Sequence, residues 1–353
     1  MISLSYGHRY REFKDLKYFT VLRSYGLTVL FLLCLSCTPQ KPYFEDHGFI
    51  FNTSYTIKYE SSERLTEKII SELKNFDLSL NPFNPNAIIS KVNRNEAVEL
   101  DDWFITVFKK AQEVSEKSGG AFDATVSPLI NLWGFGYEKR DDISQIVIDS
   151  IRSFVGYQKI RIENRKIIKD DPRMTLNFSA IAKGYACDVI AELLEREGVQ
   201  NYNVEIGREI TSKGKNKKGM CWRIGIVKPD DDRSGMTEEV NSFISTCSKK
   251  GIATSGNYRN YYIKDGKKYG HTIDPHTGYP TERNILSATI VAPDCMTADA
   301  YATAFMVMGV EAACQMAKTI PEIDYLIYYS NDTNLSIQEK YSPGMRTILR
   351  SMR

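Results

Sequence analysis

Little in this chain points to a transition metal, a nucleic acid or a membrane span. Its 353 residues contain only four histidines, and no Cys or His cluster has zinc-ligand spacing. None of the five cysteines after residue 37, Cys187, Cys221, Cys247, Cys295 and Cys314, forms a C-x-x-C pair. The formal net charge is only +2, and residues 1–36 supply +3 of it, leaving −1 for the remainder. A nearly neutral body lacks the basic footprint of a nucleic-acid binder. The apolar run Leu27–Leu35 is too short for a bilayer span, which takes about 20 residues. No internal repeat, collagen-like or disordered composition is present, and no linker marks an independent second domain. Ser255-Gly256-Asn257 has no G-x-S-x-G frame around it, which excludes a nucleophile elbow.

What is present begins with export. Arg9, Arg11, Lys14, Lys17 and Arg23 precede the apolar run, and Ser36-Cys37 follows it. This is the order of a bacterial lipoprotein signal, whose Cys becomes lipid-modified and N-terminal. The expected organisation is a signal over 1–36, a polar linker over 37–47, one catalytic domain over 48–335 and a polar tail over 336–353. Five cysteines remain after the signal; the number is odd, and buried small hydrophobes are their expected role.

Within the body, Gly48 to Glu60 alternates as a strand, and Leu65, Ile69, Leu73 and Phe76 have helical spacing behind Ser62 as a cap. An amphipathic helix runs from Asp101 to Ser118 and stops at Gly119-Gly120. The loop GAFDATVSPLINLWGFG, 120–136, either packs or offers Ala121, Phe122 and Asp123 to a flat ligand; composition alone favours packing. Residues 177–198 read as a helix capped by Ser179, with Lys183 in its first turn. A Lys there opposes the helix dipole, so it either snorkels or meets a phosphate beside free N–H groups. HTIDPHTGYP, from His271, is turn chemistry; Leu286–Ala292 is a strand; Thr297 caps a helix from Ala298 to Met308 that Gly309 ends. On that helix Asp299 and Thr303, four apart, share a face. The pair either stabilises the helix or holds a hard cation such as Mg²⁺.

The ordered set GAFDATVSPLINLWGFG, SAIAKGYACD, IATSGNYRNYY, HTIDPHTGYP and ADAYATA resembles the ApbE family of FAD:protein FMN transferases. The resemblance implies an α+β fold with a single T-fold-like domain. It also implies an enzyme outside the cytoplasmic membrane that uses FAD and Mg²⁺ to place FMN on a Thr or Ser hydroxyl, releasing AMP. Acceptors would be flavoproteins such as a subunit of a sodium-pumping NADH:quinone oxidoreductase or an Rnf-type complex. By the same resemblance the metal falls to the Ala180 carbonyl, Asp299 and Thr303. FAD falls to Phe51, Phe83, Ala121, Phe122, Asp123, Asn177, Lys183 and His271. The base that receives the acceptor proton is His271 or Asp274. The chain departs from the family pattern at Arg208, where Gly is usual, and at Asn177, where Asp is usual. Arg208 would strain the turn if its φ were positive. Hydrolysis of FAD to FMN and AMP, or FAD binding without turnover, are the alternatives these departures leave.

Overall fold

In the computed structural model, residues 41–135, 143–229, 240–256, 261–264, 267–282, 284–331 and 334–351 are described. The predicted signal and Cys37 lie outside them.

The stretch expected to be one strand from Gly48 is a hairpin, β1 (Tyr43–Ile50) and β2 (Thr53–Glu60). Phe51 and Asn52 turn it with φ of 50° and 61°, the two positive values a tight two-residue hairpin needs. Folded structure thus starts inside the expected linker. Helices α1 (Thr66–Leu80), α2 (Ile88–Asn93), α3 (Asp102–Lys117), α4 (Ser127–Leu132) and α5 (Gln145–Arg152) follow. Helix α1 starts after Leu65, not at Ser62. Asp101, expected as the first residue of α3, is its N-cap, the side chain accepting from Phe104 N. A small hairpin, β3 (Ile160–Glu163) and β4 (Lys166–Lys169), precedes α6 (Ala182–Arg196).

Strands β5 (Tyr202–Ile206), β6 (Glu209–Lys213), β7 (Trp222–Val227), β8 (Val240–Thr246) and β9 (Lys250–Gly256) come next, then the hairpin β10 (Tyr261–Lys264) and β11 (Lys267–Gly270). The chain continues through β12 (Ile285–Ala292), α7 (Cys295–Met308), α8 (Val310–Ala317) and β13 (Asp324–Asn331). It closes with β14 (Asn334–Tyr341), α9 (Pro343–Ile348) and β15 (Leu349–Ser351).

Eight strands form one sheet in the order β1-β2-β5-β6-β9-β12-β13-β14, every neighbour antiparallel. Alternation along these strands serves two cores. Ala253, Ile290 and Ala292 face the helices in the large core, while Ile210, Ile252, Val291 and Leu326 face a second one. A three-stranded sheet, β15-β8-β7, covers that second core, and its Ile226 and Ile244 pack there with Met345 of α9. The expected tail is therefore structural. Its apolar residues are spaced along an edge strand and one short helix, too sparse a pattern to stand out from a polar segment.

Two of the five body cysteines, Cys221 and Cys247, form a disulfide; Cys187, Cys295 and Cys314 are free and buried. The bond joins the start of β7 to the turn between β8 and β9, two turns at one end of the large sheet. Nearby, Glu195 accepts from Lys213 and Lys249 at 2.9 Å each and from Tyr202 at 3.0 Å. Burial raises its carboxyl, but these hydrogen bonds outweigh it and hold the group from the ordinary 4.5 down to about 2. A depressed carboxyl stabilises the fold above its unfolded pKa and loses that contribution as pH falls through the folded one. Glu195→Gln is expected to cost on the order of 2 kcal/mol at pH 7, discounted for its partial exposure. Urea titrations should show the difference from wild type shrinking below about pH 4.5 and vanishing near about pH 2. A pH-independent difference would remove the ionic cause.

Candidate functional site

Helices α6 and α7 cross with almost no space between them. A Cβ on Gly184 would overlap the Cys295 carbonyl and lie 2.8 Å from Asp299 Cβ, so only glycine permits this approach. The helices cap one another. Asp299 Oδ2 on α7 accepts from Gly184 N in the first turn of α6 at 3.0 Å. Asp188 on α6 accepts from Cys295 N at 2.9 Å and Met296 N at 2.8 Å at the start of α7, and from Thr211 Oγ1 at 2.7 Å. Each carboxylate satisfies N–H groups that a helix start leaves open and sits at the positive end of the other's dipole. The expected caps differ: Asp294, not Thr297, caps α7, and α6 starts after Ile181 without a side-chain cap from Ser179.

A cleft of about 400 Å³ opens beside this crossing. Among its walls are nine of the residues assigned from sequence: Ala121, Phe122, Asp123, Asn177, Ala180, Lys183, His271, Asp299 and Thr303. They come from the loop after α3, the segment leading into α6 and the first turn of α6, the turn after β11 and one face of α7. The i, i+4 spacing of Asp299 and Thr303 does bring both oxygens to the same wall.

Lys183 Nζ stands 2.8 Å from Glu209 Oε1 and 3.9 Å from Asp299 Oδ2. Burial works against its charge, but the Asp299 and Glu209 carboxylates outweigh that and hold the ammonium above its ordinary value. Burial pushes Asp299 up to about 7, with Lys183 opposing and Glu209 adding to the rise. Lys183 thus neither snorkels nor stands free: it is the counter-ion of two buried acids at the cleft wall. Ser255 Oγ lies 3.2 Å from Thr303 Oγ1 and fixes that hydroxyl from β9.

Three assignments fall elsewhere. The left-handed turn at Phe51 directs its ring onto Phe76, centroids 5.6 Å apart, and Phe51 is not a wall of the cleft. Phe83 is 60% exposed on the loop after α1 and does not line the cleft either. Asp274 is buried behind the wall formed by Ile273 and Pro275, its Oδ1 accepting from His276 N at 2.9 Å and lying 2.9 Å from His276 Nδ1. The opposite ring nitrogen, Nε2, is 2.8 Å from the Gly119 carbonyl. Asp274 and His276 therefore tie the His271 turn to the loop carrying Ala121–Asp123, a positioning arrangement. Asp123 also shapes the cleft more than it presents charge. Its Oδ1 accepts from Thr125 N and Oγ1 and its Oδ2 from Tyr157 N, while burial raises the carboxyl.

Both departures from the family pattern are accommodated. The left-handed residue of the β5–β6 turn is Gly207, φ 70°, and Arg208 has no positive φ, so it brings no backbone strain. Asn177 Oδ1 accepts from Ser179 N at 2.8 Å, a role an amide fills as well as a carboxylate. Sequence reasoning gave no role to Asp188, Glu209 or Ser255. Asp188 had a signal, as the one acid on the stretch Ala186–Ala191, whose other residues are apolar; the other two meet the site only through the sheet register.

The donor set suits a hard cation. Among the described residues no group of three or more His, Cys, Asp and Glu is placed to hold a metal. One carboxylate, one hydroxyl and the main chain at Ala180 leave the remaining positions to water or phosphate oxygen, the habit of Mg²⁺.

An antiparallel sheet backed by mutually capped helices, with a lysine between two acids at the wall of a cleft, makes this an α+β protein with that cleft as its candidate site. The chain belongs to the ApbE family, whose model matches residues 51–327. It is 36% identical over 305 residues to an FAD:protein FMN transferase of Vibrio cholerae, covering 83% of this chain and 90% of that one. Similarity to the Escherichia coli K12 protein of the same name is 34% over 304 residues, 83% of this chain and 84% of the other. Among solved structures, the flavin transferase ApbE from Vibrio cholerae superposes with a TM-score of 0.78 at 34% identity, covering 88% of this chain and all of that one. The ApbE protein of Thermotoga maritima gives 0.74 at 28%, covering 88% and 100%.

Proposed function

We infer that this chain is a transferase that moves FMN from FAD to a partner protein. The observation that carries the reading is the Asp299–Thr303 pair, backed by Lys183 and Glu209, at the cleft of an ApbE-family domain. The acceptor is a Thr or Ser hydroxyl. Its oxygen bonds to the FMN phosphorus, the bond from that phosphorus to the bridging oxygen breaks, and AMP leaves with the oxygen. Mg²⁺, held by Asp299, Thr303 and the Ala180 carbonyl, would neutralise charge on the pyrophosphate.

The chain's own groups do the rest. Lys183 adds a fixed positive charge at the cleft wall, 2.8 Å from Glu209 and 3.9 Å from Asp299. Phe122 with Val126 and Ile130 gives that wall an apolar face suited to a flat ring system. His271, on the wall, is the group placed to take the acceptor proton; Asp274, turned to His276, holds the turn.

Lipid anchoring at Cys37 and a position in the cell envelope facing the periplasm complete the reading. The Cys221–Cys247 disulfide supports it, since such bonds persist in oxidising compartments. Flavoprotein subunits of sodium-pumping NADH:quinone oxidoreductases or Rnf-type complexes are the proposed acceptors.

Incubation with FAD, Mg²⁺ and such a subunit should yield covalent flavin fluorescence on the acceptor with one AMP per FMN. Free FMN and AMP without labelled acceptor would replace transfer by hydrolysis. Bound FAD with no AMP under any divalent cation would leave a binding protein only.

A further inference from the structure

The register of the large sheet separates two ends. At one end lie Ile50–Thr53, Ile206–Glu209 and Gly256, next to the cleft residues Arg208, Glu209 and Ser255. At the other, Tyr43 pairs with Glu60, Tyr202 with Lys213, and Ser212 with Lys250. Strand β9 runs from one end to the other over seven residues, about 20 Å.

The chain enters at the second end, and a basic turn stands beside the entry. Tyr43, the first residue of β1, donates its hydroxyl to the Lys215 carbonyl at 2.8 Å. Lys215, Lys217, Lys218 and Met220 are exposed on the turn between β6 and β7, with Met220 at 49%. Lys213 and Lys249 next to it are neutralised by Glu195, whereas the three turn lysines have no acidic partner among the described residues. The turn is held in place: Gly214 N donates to the Cys247 carbonyl at 2.8 Å and Cys221 is bonded to Cys247.

We propose that the turn Lys215–Met220 is a membrane contact, laying this end of the sheet on anionic phospholipid headgroups so that the cleft faces away from the bilayer. The proposal rests on lipid anchoring at Cys37. Tyr43 follows Cys37 by six positions, a reach of at most about 20 Å, so an anchored chain keeps this end of the sheet at the surface. Three lysines without an acidic partner among the described residues complement anionic headgroups, and Met220 adds an apolar contact at the same tip. The acceptor protein then meets a cleft about 20 Å further out along β9.

The test uses the full chain purified from membranes and placed in vesicles of phosphatidylcholine alone or of equal parts phosphatidylcholine and phosphatidylglycerol. A water-soluble amine-acylating reagent is followed by mass spectrometry. Lys215, Lys217 and Lys218 are expected to react about fivefold more slowly in the anionic vesicles, with exposed Lys166 and Lys318 unchanged and the protection lost at high salt. Lys217→Glu/Lys218→Glu is expected to abolish protection of Lys215 while leaving FMN transfer in detergent at the wild-type rate. Equal labelling in both vesicles, with intact mass showing lipid on Cys37, overturns the contact and leaves the anchor standing. Absence of lipid on Cys37 overturns both. Protection that needs added acceptor protein instead of anionic lipid assigns the turn to that protein and also overturns the proposal.

Discussion

Asp299→Asn is expected to reduce Mg²⁺-dependent AMP formation by about a thousandfold or more while leaving the fold intact. A cation on the breaking pyrophosphate is worth several kcal/mol of charge stabilisation, and each 1.36 kcal/mol or so is tenfold in rate. Asparagine separates that chemistry from architecture. Its amide oxygen can still accept from Gly184 N, the bond that joins α6 to α7 at 3.0 Å, and Lys183 keeps Glu209 at 2.8 Å. Asp299→Ala, in contrast, leaves Gly184 N–H buried without its acceptor, at a cost of about 1–3 kcal/mol. The pair of variants should therefore be equally inactive and unequally stable, measured as AMP release and as thermal midpoint. An Asn variant with wild-type turnover would refute the metal assignment. One as unstable as the Ala variant would show that the charge, not the hydrogen bond, holds the helices.

The contrast between Asp299 and Phe83 shows what the linear chain reveals. Asp299 and Thr303 are placed by helix period alone, so their convergence was legible once a helix was. The loop segments of the wall, 121–126 and 271–275, were visible through glycine, proline and hydrogen-bonding side chains in and around them. Phe51 and Phe83 were assigned by family position, and their actual directions depend on a hairpin turn and a loop that neither residue specifies. The split of Gly48–Glu60 is an instance: Phe51-Asn52 has no glycine, so two positive φ values interrupt what reads as continuous alternation. Glu209 and Ser255 reach the site through long-range register, which no local pattern encodes. The Cys221–Cys247 bond has the same origin: Cys221 immediately precedes β7 and Cys247 immediately follows β8, and only the pairing of β7 with β8 brings them together.

Gly184→Ala is expected to lower both stability and turnover. The added methyl would overlap the Cys295 carbonyl and press on Asp299 Cβ, and a backbone carbonyl in the first turn of α7 cannot rotate aside. Overpacking of this kind costs about 1–3 kcal/mol, which for a domain of this size is several degrees in Tm. The activity loss should exceed what stability alone predicts. Relief of the overlap moves α7 away from α6, and with it Asp299 and Thr303 away from Ala180 and Lys183, the other half of the wall. Displacement of about 1 Å in a positioned site costs on the order of a hundredfold. Gly198→Ala supplies the comparison. Gly198 has φ +78° and nothing within 4 Å of its Cβ position, so alanine there brings backbone strain of about 1 kcal/mol without crowding. Thermal melts should fall for both variants, whereas AMP release and acceptor labelling should fall only for Gly184→Ala. Full turnover in that variant would mean that the closeness of the two helices serves folding and not the geometry of the cleft.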